Sequence, residues 1–427
     1  MIKRITITNA KDDAAKLRNS ANSISDDLIQ RIKLVIDEVA KHGNSAITNY
    51  TEKFDGVRLN SFKVSEEEIK QAYRNVTSRQ IQSINVIRER LMKTEKALLT
   101  KLTGITVSFD GVTITRLVQP LSNIGCYIPG GNARYPSTMI MCAVPAKIAG
   151  VKRIVAVSPP MKDGTADPLT LVAADICGVD EFYKIGGAQA IAALTFGTPN
   201  INKVDKIVGP GGIFVTIAKI LVSGKISIDM VAGPTELLIY ADSKANPKLI
   251  AIDLISQAEH STDTFCGLVT TSKELAVQVT NKIQDIILGT IERGNIVRKS
   301  LENMGFIAVC NDESTAIDFI NELAPEHLEL MIESAKDIAK KIISAGLILT
   351  GEYTPSSASD YCLGSNHVLP TLGFSKSKAS LSVLDFIKIV NTVEVSKSGL
   401  KKIELAVKEI TSAEGLINHY QAIKERI

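Results

Sequence analysis

Histidine is scarce in this chain, and its surroundings indicate where chemistry could take place. The five histidines are at positions 42, 260, 327, 367 and 419. The mostly apolar residues 250–260 predict a buried helix, in which Gln257 and His260 are three positions apart and share one face. An imidazole beside an amide oxygen could hold a divalent cation, but a hydrogen-bonded pair in the core explains the same spacing. This segment alone leaves both interpretations open.

Glu326 and His327 form a second candidate pair. They follow Pro325, and proline favours the first position of a helix, so we expect both in the first turn of a helix running through Leu330. The positive end of that helix would keep His327 neutral and Glu326 ionised, which places a general base beside a carboxylate that could activate water. The commoner explanation of an isolated pair is that Glu326 suits the helix dipole and His327 fills a surface turn.

The third set of candidates lies towards the C-terminus. Asp360 and His367 stand in a polar, aperiodic segment that predicts a loop, where they could carry function or be ordinary turn residues. Residues 411–414 have the form of a capping box, which would make Glu414 the third residue of a helix. His419 has no such explanation, because a histidine near an exposed terminus is usually solvated unless another subunit covers it.

Three stretches are rich in glycine, at residues 129–131, 186–189 and 209–212, and the backbone amides of the second could approach a phosphate group. None of them fits the G-x-G-x-x-G pattern of dinucleotide-binding folds. The second stretch follows a strand-like run and precedes a helix-like one, which is the arrangement that phosphate binding needs. The signal is too weak to identify a cofactor.

The elements that must position these residues change character near residue 122. Before it, residues 25–41 predict a helix, a capping box at residues 65–68 opens a long helical run towards Leu99, and Asp110-Gly111 predicts a hairpin turn. After it, short apolar strands at residues 153–157, 206–208, 237–240 and 268–270 alternate with helical segments. This alternation predicts an α/β fold with one or two doubly wound parallel sheets.

Composition limits the classes of function. A chain of 427 residues exceeds one ordinary core, so two or more domains are expected. A net charge of +3, spread along the chain, gives no electrostatic footprint for nucleic acid. We expect neither a signal peptide nor a membrane segment, since charge interrupts the apolar stretches. Six cysteines without a C-x-x-C pair suit buried free thiols in a reducing cytoplasm.

Taken together, these segments resemble the histidinol dehydrogenase family from about residue 24 to about residue 423. Several independent motifs stand in the expected order and at the expected separations, which makes the resemblance specific. The stretches that carry it are residues 125–131 (GCYIPGG), 186–194 (GGAQAIAAL), 256–260 (SQAEH), 324–328 (APEHL), 360–361 (DY), 364–371 (GSNHVLPT) and 414–416 (EGL), with His419.

The resemblance implies two doubly wound, incomplete Rossmann-like sheet domains, small helical N- and C-terminal extensions, and an intertwined homodimer. It implies a first domain at residues 24–128 plus 237–381, which holds zinc and the catalytic residues, and an inserted domain on the NAD side at residues 129–236. The extensions are residues 1–23 plus 382–427, and the C-terminal tail contacts the partner subunit.

The resemblance also implies a reaction and its residues. L-histidinol would be oxidised to L-histidine through histidinal by two NAD, the last step of histidine biosynthesis, with His327 taking the hydroxyl proton and Glu326 activating water. One zinc ion per subunit would be held by Gln257, His260, Asp360 and His419 of the partner subunit. The implied substrate contacts are Thr235, Gln257, His260, His327, Asp360, His367, Glu414 and His419. The implied NAD contacts are Tyr127, Gln189 and Gly212.

Three positions depart from the family pattern. Gly212 stands where the family has asparagine, which removes a side-chain contact to NAD. Thr235 replaces a serine, which keeps the hydroxyl and adds a methyl group. Ser359 stands where the family usually has glycine. These departures leave cofactor preference and substrate scope open.

Other functions remain to be distinguished at this point. A related zinc-dependent, NAD-linked dehydrogenase for another polar alcohol would use the same zinc and base, although Glu326 beside His327 favours a substrate carried through to the acid. A zinc hydrolase, in which metal-bound water attacks an amide or ester, would form product without NAD. A non-catalytic protein that retains the fold is the third alternative.

Overall fold

The described part of the chain forms an α/β fold of two parallel sheets and one antiparallel sheet, which confirms the predicted fold class at that level. A computed structural model describes residues 2–21, 25–130, 134–289 and 291–427, so Gly131 of the first glycine-rich stretch lies outside the described residues. The strands are β1 (Lys3–Thr6), β2 (Ile105–Phe109), β3 (Val112–Pro120), β4 (Asn123–Tyr127), β5 (Arg153–Ser158), β6 (Glu181–Lys184), β7 (Lys206–Val208), β8 (Ser227–Ile228), β9 (Glu236–Ala241), β10 (Phe265–Thr270), β11 (Phe306–Val309), β12 (His327–Met331), β13 (Leu347–Thr350) and β14 (Ile387–Val395).

Helices separate most of these strands. They are α1 (Ala10–Ala21), α2 (Asp26–His42), α3 (Asn44–Asp55), α4 (Glu66–Arg74), α5 (Ser78–Leu99), α6 (Pro136–Ala149), α7 (Pro168–Ile176), α8 (Gly187–Phe196), α9 (Ile213–Val222), α10 (Pro247–Ala258), α11 (Lys273–Leu288), α12 (Gly294–Asn303), α13 (Glu313–Leu323), α14 (Ala335–Ala339), α15 (Ser356–Ser359), α16 (Lys397–Ala413) and α17 (Ile417–Lys424). None of the helices in these described ranges is long and apolar enough to cross a membrane.

The larger parallel sheet has the strand order β1-β11-β10-β9-β12-β13 within the described residues. Its central strand β9 sends Leu238 and Tyr240 into a core that includes residues of α1 and α13, and Leu237 and Ile239 into a core with α10 and α11. Because successive side chains of a strand point to opposite faces, a strand that is covered on both sides needs apolar residues throughout. The sequence of β9 meets that need after its first residue.

The smaller parallel sheet has the strand order β6-β5-β4-β7-β8. Ile124 and Cys126 of β4 face a core that includes α5, α6 and α7, whereas Tyr127 lies in a core with α2, α8 and α9. The chain leaves β4 towards β5 and β6 on one side and returns to β7 and β8 on the other. The carboxyl ends of β4 and β7 therefore mark a topological switch point, where open α/β sheets bind their ligands.

The antiparallel sheet confirms the predicted hairpin. Strands β2 and β3 pair around Asp110 and Gly111, whose φ angles of 49° and 80° are those of a tight hairpin turn. Strand β14, from the C-terminal part of the chain, pairs with the full length of β3. This sheet thus pairs a segment of the chain that precedes β4 with a segment that follows β13.

The N-terminal helices follow their caps. The predicted capping box is present, with the Ser65 side chain bonded to the Glu68 amide and the Glu68 side chain bonded back to Ser65. The prediction of one helix towards Leu99 is wrong, because α4 ends at Arg74 and α5 starts after Thr77. A second capping box, between Thr77 and Gln80, starts that new helix.

Two predicted helix starts are also wrong. Glu326 and His327 do not begin a helix: His327 is the first residue of β12, which pairs with β9 on one side and β13 on the other. Full burial on both faces explains why a strand forms there in spite of Pro325. Glu414 is the C-cap of α16, because the Thr411 hydroxyl bonds back to the Val407 carbonyl instead of capping a new helix.

The predicted division of the chain into domains stays a prediction. Strand β4 pairs within the smaller parallel sheet, and helices α2 to α5 contribute to the cores on its two faces. These elements were assigned to the first domain, but they pack with the sheet whose other strands were assigned to the inserted domain.

Candidate active site

The candidate residues meet at the amino ends of β9 and β12. The two strands pair in parallel with His327 opposite Leu237, so Thr235 and Glu236 lie beside Glu326 and His327 although about 90 residues separate them in the sequence. Glu236, Glu326 and His327 are all buried. Parallel pairing, which the sequence does not display, is what brings these groups together.

A chain of three side chains fixes the carboxylate of Glu326. Gln257 Nε2 donates to Thr235 Oγ1 at 2.8 Å, and the Thr235 hydroxyl donates to Glu326 Oε2 at 2.8 Å. The backbone N–H of Glu236 donates to the same Oε2 at 2.6 Å. Because a carboxylate only accepts, the hydroxyl proton points to Glu326, and the Gln257 amide is turned so that Oε1 remains as its available ligand atom.

The imidazole of His327 is held in one tautomer. Its Nδ1 lies 3.1 Å from the backbone carbonyl of Glu236. A carbonyl cannot donate, so Nδ1 carries the hydrogen and Nε2 of the neutral ring carries the lone pair. Nε2 is buried, has no hydrogen-bond partner among the described residues and lies 3.4 Å from Asp360 Oδ1. A buried nitrogen that is free to accept a proton is the geometry of a general base.

Carboxylates, and not a helix terminus, set the charge around His327. Burial works against the imidazolium, but the carboxylates of Glu326 and Asp360 outweigh it and raise the pKa of His327. The expected helix start is therefore wrong, because His327 lies on a strand, between two carboxylates that strengthen Nε2 as a proton acceptor.

Asp360 lies close to two histidines, His327 and His367. Its backbone carbonyl accepts a hydrogen bond from His367 Nδ1 at 2.6 Å. Burial raises the pKa of Asp360, but the neighbouring His327, His367 and His260 lower it below its ordinary value. His367 Nε2 is 3.4 Å from Thr138 Oγ1, in the first turn of α6, which brings the smaller parallel sheet to the edge of the site.

The candidate metal ligands of one chain do not form a complete metal site. Among the described residues, no group of three or more His, Cys, Asp or Glu side chains could hold a metal ion. The candidate set provides two such side chains, His260 and Asp360, together with the oriented Oε1 of Gln257. Nitrogen and oxygen donors of this kind suit zinc, which takes four ligands at structural sites and keeps a position open at catalytic ones.

The C-terminal candidates are not brought to this cluster within one chain. Glu414 and His419 are both exposed, and in the described part of the chain no hydrogen bond or ion pair joins either of them to the residues at β9 and β12. The carboxylate and the imidazole both lie free on the protein surface.

The remaining candidates surround the switch point of the smaller sheet. The N–H of Gly187 donates to the Tyr127 hydroxyl at 3.1 Å, and Gln189 lies buried in the first turn of α8. Gly209 follows β7 with a φ of 109°, and a Cβ there would lie 2.1 Å from the Tyr127 carbonyl oxygen, so only glycine fits. Gly212 caps α9, and a Cβ there would have no heavy atom within 4 Å.

A buried ion pair holds the loop that contains Gly209. Lys219 Nζ pairs with Asp229 Oδ1 and donates to the Gly209 carbonyl at 3.0 Å. Asp229 Oδ2 accepts from the Gly209 N–H at 2.7 Å. Both polar groups of one glycine are therefore fixed by opposite charges, which positions the loop at the carboxyl end of β7.

Several residues of the site escaped the sequence analysis. Glu236 touches both Glu326 and His327, and Arg18 pairs with its carboxylate. Behind Gln257, Glu329 Oε1 accepts from the Ser356 N–H at 2.6 Å, and burial raises the pKa of Glu329 to about 8. The signal that could have identified Glu236 is an acidic residue at the start of a buried apolar strand, because a buried charge needs a partner.

Comparisons with known proteins agree over the whole chain. Residues 18–427 match the family model described as histidinol dehydrogenase. The histidinol dehydrogenase of Methanocaldococcus jannaschii is 40% identical, with 100% of this chain and 99% of the relative covered. That of Clostridium acetobutylicum is 45% identical, with 94% and 92% covered. The crystal structure of histidinol dehydrogenase from Elizabethkingia anophelis is similar with a TM-score of 0.94 at 35% identity, covering 100% of this chain and 98% of that one.

The hydrogen-bond chain predicts the effect of removing one hydroxyl. Thr235→Val keeps the shape of the side chain but leaves Glu326 Oε2 and Gln257 Nε2 short of a partner, so the free energy of unfolding should fall by about 1 to 3 kcal/mol. Urea unfolding of the purified protein measures this. Thr235→Ser, which keeps the hydroxyl, is the matched control and should stay close to the parent. Equal stability of the valine and serine variants would contradict the hydrogen-bond chain.

Proposed function

The chain belongs to the histidinol dehydrogenase family, and from this premise we propose that the site at β9 and β12 oxidises L-histidinol to L-histidine. The enzyme is an NAD-dependent oxidoreductase. Carrying a primary alcohol to a carboxylate removes two hydrides, consumes one water and releases three protons. The acceptors are two NAD molecules, and the aldehyde histidinal is the intermediate.

The single observation that carries the proposal is the pairing of a prepared base with a prepared carboxylate. His327 Nε2 takes the hydroxyl proton in the first oxidation, because the carbonyl of Glu236 holds the hydrogen on Nδ1. Glu326 then removes a proton from the water that adds to the aldehyde. Its Oε2 is held by Thr235 and by the Glu236 N–H, which leaves Oε1 for the water.

Seven further residues are proposed as substrate contacts, of which Glu414 and His419 lie on the exposed C-terminal tail. Enclosing a reactive aldehyde between two oxidations requires several anchors, because escape would lose the intermediate. The proposed anchors are Thr235, Gln257, His260, Asp360, His367, Glu414 and His419, in addition to His327 itself.

Zinc fits the chemistry of the candidate nitrogen and oxygen ligand atoms. We assign it to Gln257 Oε1, His260 and Asp360, with His419 of the partner subunit as the fourth protein ligand. When bound, the ion supplies a point of attachment for the amine and imidazole nitrogens of histidinol. The support in this chain is the amide of Gln257, whose nitrogen donates to Thr235, which leaves its oxygen as the ligand atom.

NAD is assigned to the switch point of the smaller sheet. Tyr127 ends β4, and Gly212 lies between β7 and α9. Gln189 lies in the first turn of α8, where the Gly187 N–H donates to the Tyr127 hydroxyl. The backbone amides at the start of α8 suit a phosphate group. Thr138 of α6, beside His367, connects this side with the substrate site.

A homodimer completes the proposal. One face of the antiparallel sheet exposes Val107, Phe109, Val393 and Val395, which the pairing places in adjacent rows. An exposed apolar face of this kind is typical of a surface that another protein chain buries. A second copy of the chain is the occupant, because the neighbouring tail also exposes the two functional side chains Glu414 and His419 that the site of one chain lacks.

Counting product tests the function directly. The zinc-loaded protein, incubated with limiting L-histidinol and excess NAD, should form two NADH for each histidinol consumed, with histidine as the product. One NADH per histidinol would mean that the reaction stops at the aldehyde and would contradict the role of Glu326. Cleavage of an amide or ester substrate without NAD would indicate a zinc hydrolase, and oxidation of other polar alcohols in preference to histidinol would indicate a related dehydrogenase.

The assignment of zinc is tested by removing one ligand. His260→Ala should lose the bound metal and histidinol turnover together, because a site with two remaining ligands from its own chain holds zinc weakly. Elemental analysis after dialysis measures the metal. His42→Ala, on the exposed end of α2, is the control and should keep its zinc. Equal zinc content in the two variants would remove His260 from the ligand set.

Mixed dimers test whether the site is shared. His419→Ala keeps Glu326 and His327 but lacks the tail ligand, and the double variant Glu326→Gln, His327→Asn keeps the tail, so both should be inactive alone. Unfolding and refolding the two together should restore about a quarter of the parent turnover, because half of randomly formed dimers contain one complete site. Absence of any recovery in dimers shown to be mixed would mean that the tail acts within its own chain.

A further inference from the structure

Arg18 lies in α1, far from the site in the sequence, yet its side chain reaches the strands that carry the catalytic pair. Its guanidinium contacts both carboxylate oxygens of Glu236, with Nη2 at 2.8 Å from Oε2. Nε donates to the carbonyl of Leu323 at 2.8 Å, and Nη2 donates to that of Ala324 at 3.1 Å. The same group therefore binds the start of β9 and the turn that leads into Glu326.

Glu236 is the residue through which this contact reaches the chemistry. Its carboxylate accepts the N–H of Glu326 at 3.2 Å, and its own N–H donates to the Glu326 carboxylate at 2.6 Å. Its backbone carbonyl accepts from His327 Nδ1 at 3.1 Å. One residue thus fixes the main chain and side chain of Glu326 and the tautomer of His327.

Two left-handed backbone conformations depend on the same pair of charges. Ala324 has a φ of 49° and Leu372 a φ of 57°, which non-glycine residues adopt only when their surroundings hold them there. Arg18 binds the carbonyl of Ala324, and Glu236 Oε1 accepts the N–H of Leu372 at 2.8 Å. Leu372 directly follows the segment that carries His367, so the network also holds that side of the site.

We propose that Arg18 and Glu236 are positioning residues of the reaction, which hold Glu326 and His327 in their working geometry through one buried, bidentate ion pair. Neither residue needs to touch the substrate for this role. The inference rests on the proposed function, because it concerns the turnover of the same site. A planar guanidinium is required, since lysine cannot bind two carboxylate oxygens and two carbonyls at once.

The test separates positioning from mere bracing of the fold. Arg18→Met should lower kcat for both histidinol and histidinal by about 10- to 100-fold, while the KM for histidinol and the zinc content change little, because partners that orient catalytic groups have effects of this size. Millimolar guanidinium chloride should restore part of kcat in this variant, whereas equal sodium chloride should not. Arg18→Lys keeps the charge and should remain impaired.

Arg153→Met is the matched control, because Arg153 forms a comparable, partly buried pair with Glu181 at the amino end of the smaller sheet. It should lower stability and leave kcat unchanged. An Arg18→Met enzyme with the parent's kcat, or an equal loss of kcat in Arg153→Met, would overturn the proposal. If Arg18→Met does not fold, the Arg18→Lys variant decides. Full activity of Arg18→Lys would overturn the proposal, and an impaired activity of Arg18→Lys that guanidinium restores would support the proposal. A parent protein that makes no NADH from histidinol would refute the proposed function instead.

Discussion

The candidate active site depends on the parallel pairing of β9 with β12. That pairing sets the backbone of Glu236 against both members of the candidate catalytic pair, so the N–H of this residue donates to the carboxylate of Glu326 and its carbonyl accepts from the imidazole of His327. Strands in the centre of a sheet move little, because neighbours bind them on both sides and cores cover both faces. A site built on two such strands has its geometry set before any ligand arrives.

The two parallel sheets contribute to the site in different ways. In the larger sheet the candidate residues lie at the amino ends of the strands, whereas open α/β sheets bind their ligands outside the carboxyl ends of the strands. The smaller sheet follows that rule, with Tyr127 and Gly209 at the carboxyl ends of its two central strands. The contact between Thr138 of α6 and His367, at 3.4 Å, brings a helix that packs on the smaller sheet next to the candidate site. This division agrees with a reaction in which NAD and an alcohol must meet.

Local patterns in the sequence predict the elements well and their assembly poorly. The hairpin at Asp110-Gly111, the cap at Ser65 and the apolar strands need only neighbouring residues, so they could be identified from the sequence. The strand at His327 could not, because Pro325 and the Glu-His pair suit a helix start locally, and burial between β9 and β13 decides otherwise. Arg18 was missed for the same reason, since its partner Glu236 lies 218 residues away.

The two main departures from the family pattern differ in their physical consequences. Thr235 lies inside the hydrogen-bond chain, so its hydroxyl is needed for the carboxylate of Glu326 and the amide of Gln257, and only the added methyl group is free to vary. Gly212 caps a helix with open space around it, and a side chain there would displace no neighbouring heavy atom. A change between asparagine and glycine at such a position leaves the packing around it unaltered. The structure therefore tolerates change where NAD is proposed to bind and resists it where the proton transfer is proposed.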